Sequence, residues 1–133
     1  MSIKYVSTPN APAAIGPYSQ AIVVNHLVYT SGQIALTPDG LIKCEDVEGQ
    51  TRQVLTNLSA VLEEAGSSLN KVIKTTIYLA SMDDFKIVNE VYAEFFGEHR
   101  PARSTVAVKT LPLNVKVEID VIAMQDPLHT YKQ

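Results

Sequence analysis

Arg103 opens an alternating, β-branched run inside RPARSTVAV (residues 100–108), and no other side chain in the chain offers chemistry so readily. A guanidinium presents a planar donor fork that matches a carboxylate two bonds at a time. Further along, VKVEIDVIA (115–123) carries Glu118 and Asp120 on one side of a second alternating run. A carboxylate facing a seam rather than open water can orient and deprotonate a water molecule, so Glu118 is a candidate general base. Asp120 is the weaker candidate. Spacing alone leaves two readings open. Arg103 either grips a small organic acid or forms a structural ion pair with Glu118 or Asp120. Arg100, just ahead of Pro101, reads as a solvated loop charge.

Other residues of the right type lie nearer the N-terminus. Gly16-Pro17-Tyr18-Ser19-Gln20-Ala21 is a turn running into a strand. The Tyr18 hydroxyl can meet a ligand oxygen, or the ring can simply pack on a sheet rim. Tyr29-Thr30-Ser31-Gly32-Gln33 ends a strand at glycine, which lets backbone approach a ligand or marks a bulge. Asn89, in a helical stretch, reads as an exposed polar residue. His26, His99 and His129 have no metal-ligand spacing. GxSxG, CxxC and a glycine-rich phosphate loop are all missing from the sequence. The expectation is chemistry without metal, cofactor or covalent nucleophile, which restricts it to reactions of low intrinsic barrier.

The bulk properties set the context. At 133 residues, 46% hydrophobic and 19% charged, the sequence reads as a single globular domain over 1–133. A net charge of −3 with no basic run argues against nucleic acid or an anionic membrane as partner. The single cysteine, Cys44, can form no internal disulfide, which suits a reducing compartment. No apolar run approaches the ~20 residues that span a bilayer. Without a visible targeting segment the expected location is cytoplasmic, with the mitochondrial matrix as the alternative.

These residues need elements to position them. Ala21–Val24 and Leu27–Thr30 flank Asn25-His26 as a tight hairpin. From Val47 to Ala65, apolar residues at Val54, Leu55, Leu58, Val61 and Leu62 make one helix face, stopped by Gly66. Val72–Ala80 is a strand. A second helix, capped by Asp83 or Asp84, places Phe85, Val88, Val91, Tyr92, Phe95 and Phe96 on one face before Gly97. Ser104–Lys109 and Val115–Met124 follow as strands joined by a turn at Leu111–Asn114. The order predicts a two-layer α+β domain: a mixed β-sheet of about six strands with two helices on one face. Pairing the last two strands as a hairpin sets 107 against 118 and 105 against 120. Arg103, Thr105 and Ala107 then share the face of Glu118 and Asp120, unless a bulge inverts the faces. That face has no helix over it, and oligomerisation is the natural cover, with pockets at the seams.

Taken together, APAAIGPYSQA (11–21), YTSGQIAL (29–36), LNKVIKTTIYLASMDDF (69–85), VNEVYAEFF (88–96) and the 100–112 and 115–123 stretches resemble the reactive intermediate deaminase family of the YjgF/RidA type. The similarity runs from about residue 3 to residue 127. It implies a chorismate-mutase-like fold assembled as a homotrimer with three clefts between subunits. It implies a 2-iminobutanoate/2-iminopropanoate deaminase activity: hydrolysis of enamine and imine intermediates, such as 2-aminoacrylate, released by pyridoxal-phosphate-dependent dehydratases, to a 2-keto acid and ammonia. Position by position, Arg103 matches the arginine that grips the substrate carboxylate and Glu118 the acid associated with the attacking water. Tyr18, Asn89 and the Ser31-Gly32 pair match cleft-lining positions. Thr105 falls where many members carry cysteine, a position implied to act through its main-chain carbonyl. Two competing classes remain: a non-catalytic module for small carboxylates, and an RNA-directed translation inhibitor or ribonuclease, since some relatives are so described.

Overall fold

A computed structural model describes residues 2–127; the tail from 128, including His129, lies outside the described residues. Six strands form one mixed sheet, β1 (Lys4–Val6), β2 (Ala21–Val24), β3 (Leu27–Thr30), β4 (Val72–Leu79), β5 (Ala102–Ala107) and β6 (Val117–Met124). Their spatial order is β1-β2-β3-β6-β4-β5. Two helices, α1 (Val47–Glu64) and α2 (Phe85–Phe96), connect β3 to β4 and β4 to β5. This is the expected two-layer α+β architecture. The N-terminal strand β1 was not anticipated, and no strand occupies the stretch around Leu36–Ile42, where a single bridge closes the Thr37–Gly40 turn.

Local chemistry explains the elements. Asn25 and His26 both take positive φ, +51° and +62°, as a two-residue hairpin turn with matching twist requires. Asp46 caps α1, its carboxylate accepting from the Gly49 N–H, and Gly66 at φ +80° turns the chain away. Val54, Leu55, Leu58, Val61 and Leu62 are fully buried, so the 3.6-residue stripe is the face that packs on the sheet. At α2 the expected aspartate cap is replaced. Asp84 occupies the N-cap position without a side-chain bond, and Ser81 caps a preceding 3₁₀ turn by accepting from Asp83 N–H. On the sheet, Val117, Ile119, Val121 and Ala123 lie buried under the helices while Glu118, Asp120 and Ile122 point to the other side.

The hairpin expected between the last two strands does not form. β5 pairs in parallel with β4, which lies between β5 and β6. A strand–helix–strand unit returns parallel to its start, so β4-α2-β5 sets the pairing that chain proximity had suggested for β5 and β6. The faces change accordingly. Arg103 stands opposite Thr75, and Thr75 opposite Val121, all toward the helices. Val106, Tyr78 and Glu118 form a row on the uncovered side, as do Ser104, Thr76 and Asp120. Arg103, Thr105 and Ala107 therefore do not share a face with Glu118 and Asp120.

Candidate active site

The side chains singled out above fall into two grooves. In the first, about 520 Å³, Arg103 and Arg100 line the wall with Asn89, Tyr92, Ala93 and Pro101. One turn-spaced face of α2 builds a saddle for Arg103 from positions 85, 89 and 92. Its Nη1 donates to Asn89 Oδ1 at 2.7 Å, and its guanidinium lies 4.9 Å from the Tyr92 ring centre and 5.6 Å from that of Phe85. Each such cation–π contact contributes about 0.5–2 kcal/mol. The Tyr92 hydroxyl is tied in turn to the buried Thr75 hydroxyl at 3.0 Å, and its ring stacks on Phe96. Burial pushes the Tyr92 phenol up from its ordinary value, while the Thr75 bond and the fields of Arg103 and Arg100 oppose that shift. Arg103 has no ion pair with Glu118 or Asp120; among the described residues the ion pairs are those of Arg52 with Glu48 and Glu94.

Thr105 lies two residues along β5 from Arg103 and faces the same way, opposite Ile77. Its hydroxyl is buried with no hydrogen-bond partner, the one such side-chain atom among the described residues. An unpaired buried hydroxyl costs about 1–3 kcal/mol.

The second groove, about 560 Å³, is lined by Tyr18, Ser31, Gly32 and Glu118 with Ile15, Leu113 and neighbouring loop residues. A bulge makes it. Tyr29 pairs with Ile122 and Gln33 with Ile119, so three residues, 30–32, stand against two on β6. Thr30 Oγ1 fills the interrupted ladder by accepting from Val121 N–H. The displaced Gly32 then lies against the Glu118 carboxylate: a Cβ built there would sit 2.3 Å from Glu118 Oε2. Only glycine leaves room for that carboxylate. Ser31 is fixed by donating its hydroxyl to Ser19 O at 2.6 Å. Buried Gln20 anchors the N-terminal loop, accepting from Thr8 N–H at 2.7 Å and donating to Pro12 O at 2.8 Å.

Electrostatics separates the two acids of β6 from Arg103. Desolvation first, then the field of Asp120, holds the Glu118 carboxyl above the ordinary glutamate range. Desolvation also raises Asp120, with Tyr78 and Lys74 pulling it back down. A raised carboxyl pKa brings a base closer to neutral working pH.

Sequence reasoning put all of these residues in one cleft; within a single chain the structure brings Arg103 together with Asn89, and Tyr18 with Ser31, Gly32 and Glu118, as two separate sets. The same reasoning treated Phe85 and Tyr92 as core residues only. Their spacing with Asn89, i, i+4 and i+7, was the available signal that they flank the same guanidinium. Nothing in the sequence marked Gln20, whose role depends on a long-range loop.

The molecule is a small α+β domain with an unneutralised arginine saddle and a desolvated glutamate on opposite faces of its sheet. The family profile described as Endoribonuclease L-PSP matches residues 8–125. The chain is 54% identical over 119 residues to Reactive Intermediate Deaminase A, chloroplastic, of Arabidopsis thaliana, covering 89% of this chain and 64% of that protein. It is 46% identical over 125 residues to the 2-iminobutanoate/2-iminopropanoate deaminase of Salmonella typhimurium, covering 92% and 98%. The fold superposes with a TM-score of 0.87 on the crystal structure of E. coli TdcF with bound serine, at 43% identity over 92% of this chain and 99% of that one. The chain belongs to the Endoribonuclease L-PSP family, which contains proteins named reactive intermediate deaminases.

Proposed function

We propose that the protein hydrolyses small 2-imino acids, formed from enamines such as 2-aminoacrylate, to 2-keto acids and ammonia. The observation that carries this reading is the unneutralised Arg103 saddle, a preformed seat for one carboxylate. Relatives named as deaminases of these substrates, and a neighbour crystallised with serine, support it.

Glu118 faces away from Arg103 in the same chain, so one chain holds half of the apparatus at each groove. The uncovered sheet face, bearing Tyr5, Tyr29, Val106 and Met124 as exposed apolar residues, suits burial against another copy. In a homotrimer, the Arg103 groove of one copy meets the Glu118 groove of the next, and the site is complete only there. The substrate carboxylate rests on Arg103. Glu118 takes a proton from water as the water oxygen bonds to the imine carbon, and that proton is passed on to the nitrogen to give a carbinolamine. Collapse of the carbinolamine breaks the C–N bond, forms the C=O and releases ammonia. Because an imine hydrolyses unaided, a few kcal/mol suffice, each ~1.4 giving tenfold in rate. Orientation and one positioned water can supply that.

The test is a threonine dehydratase reaction containing semicarbazide. Added protein should speed 2-oxobutanoate formation and suppress semicarbazone. Unchanged rates and trapping would defeat the deaminase reading. Salt-dependent RNA affinity in the same preparation would favour the RNA-directed class, although a net charge of −3 opposes it.

A further inference from the structure

Arg100 is exposed in the loop after α2, as expected, but it also lines the groove of Arg103 and is tethered by its neighbours. Its Nη1 donates to the carbonyl of Gly97 and, at 3.0 Å, to that of His99, where α2 ends. Both carbonyls belong to the chain just past the last helical residue, Phe96, so they tether the side chain beside the groove. The anchoring uses one of the three guanidinium nitrogens. Nε and Nη2 keep three N–H donors between them, enough for a second bidentate contact.

No acid answers either cation. The groove wall consists of Asn89, Tyr92, Ala93, Arg100, Pro101 and Arg103, without a carboxylate. Neither arginine takes part in an ion pair among the described residues. Their backbones cannot be more than about 10 Å apart, since only two residues intervene, and Pro101 stiffens the connection. Tyr92 lies on the same wall as both charges. A ligand with one carboxylate neutralises one of the two charges and leaves the other without a counter-ion. A ligand with two satisfies both.

The geometry points to a substrate class of 2-imino dicarboxylic acids, one carboxylate on Arg103 and the distal carboxylate on the free edge of Arg100. This inference deepens the deaminase reading and rests on it, because it places the reacting end at Arg103. The preference itself is a binding property and is measurable without turnover.

Calorimetry with the intact protein compares two product-like keto acids, 2-oxoglutarate and 2-oxobutanoate, on wild type and Arg100→Gln. The expected result is that 2-oxoglutarate binds wild type roughly tenfold or more tightly than 2-oxobutanoate, and that the ratio falls to within about twofold in Arg100→Gln. Arg100→Lys should keep part of the ratio, because it keeps the charge and loses the fork. Equal affinities in wild type, or a ratio that survives Arg100→Gln, overturn the inference. Failure of the deaminase reading shows elsewhere, as an unaccelerated dehydratase reaction, so the two failures are distinguishable.

Discussion

The two grooves treat their charges in opposite ways. Arg103 is accommodated: Asn89 accepts from it, Tyr92 and Phe85 present ring faces to it, and regular secondary structure supplies every contact. Glu118 is crowded: a bulge presses Gly32 against its carboxylate, and both burial and Asp120 disfavour its ionised form. A cation meant to hold a ligand gains from a rigid, complementary seat. A carboxylate meant to take a proton gains from being left short of partners, because a comfortable carboxylate is a poor base. The contrast supports the proposed division, binding at one groove and proton transfer at the other, and each variant below tests it.

The largest effect is expected at Arg103. Arg103→Ala should lower kcat/KM by about 100-fold or more, the loss of a charge-assisted bidentate contact worth roughly 3 kcal/mol. Stability should fall by only about 1–2 kcal/mol, since the lost contacts with Asn89, Tyr92 and Phe85 belong to an exposed side chain on an edge strand. The proposed sharing of one site between two copies adds a sharper readout. Co-refolding equal amounts of Arg103→Ala and Glu118→Gln should restore about a quarter of wild-type activity. In a randomly mixed homotrimer three-quarters of assemblies are mixed, and each has one cleft with both native residues. Activity that stays at the level of the separate variants would place the two residues in unrelated sites.

Glu118→Gln should cost about 100-fold in kcat, the usual scale for loss of a general base, while leaving keto-acid binding nearly intact. Its stability should move the other way. A carboxyl whose folded-state pKa is raised binds its proton more tightly folded than unfolded. It therefore favours folding at pH below the ordinary glutamate value and loses that advantage as pH rises through the raised one. Glu118→Gln should accordingly match wild type in Tm near pH 4 and exceed it at pH 7. The wild-type rate should fall as pH drops through the raised pKa, where the base becomes protonated. A glutamine variant less stable than wild type at neutral pH would mean that Glu118 is a satisfied structural residue.

How much of this was legible beforehand depends on whether the determining contact is local. The α1 stripe, the hairpin at Asn25-His26 and the inward set Val117, Ile119 and Val121 follow from periodicity and turn chemistry, and the structure has them. The pairing of β5 was misread because proximity in sequence suggested a hairpin. The stretch from Val72 to Ala107 is a strand, a twelve-residue helix and a strand, and that arrangement demands a parallel return. This one topological choice moved Arg103 to the helix side and split the site. The bulge at residues 30–32 was weighed as a mere alternative to ligand approach, yet it is the device that positions Gly32 on Glu118. A register shift of one residue leaves little trace in composition.

Gly32→Ala probes the bulge directly. The added methyl would fall 2.3 Å from Glu118 Oε2, so the carboxylate must swing away. A loss of about tenfold in kcat and a destabilisation of about 1–3 kcal/mol are expected. In the Glu118→Gln background the same substitution should cost little further activity. An equal loss in both backgrounds would detach Gly32 from the glutamate and return it to the role of a ligand-facing backbone position.

The smallest effect belongs to Tyr92, and it asks whether the arginine seat works by shape alone. Tyr92→Phe keeps the ring under Arg103 and the stack on Phe96, but it breaks the 3.0 Å bond to Thr75. Thr75 is fully buried, so its orphaned hydroxyl should lower stability by about 1–3 kcal/mol, and adding Thr75→Val should recover most of that. Activity should fall less than about fivefold and entirely in KM, because the phenol only steadies the seat. A larger fall in kcat, unrescued by Thr75→Val, would put the Tyr92 hydroxyl on the reacting atoms. Proton transfer would then no longer be confined to the Glu118 groove.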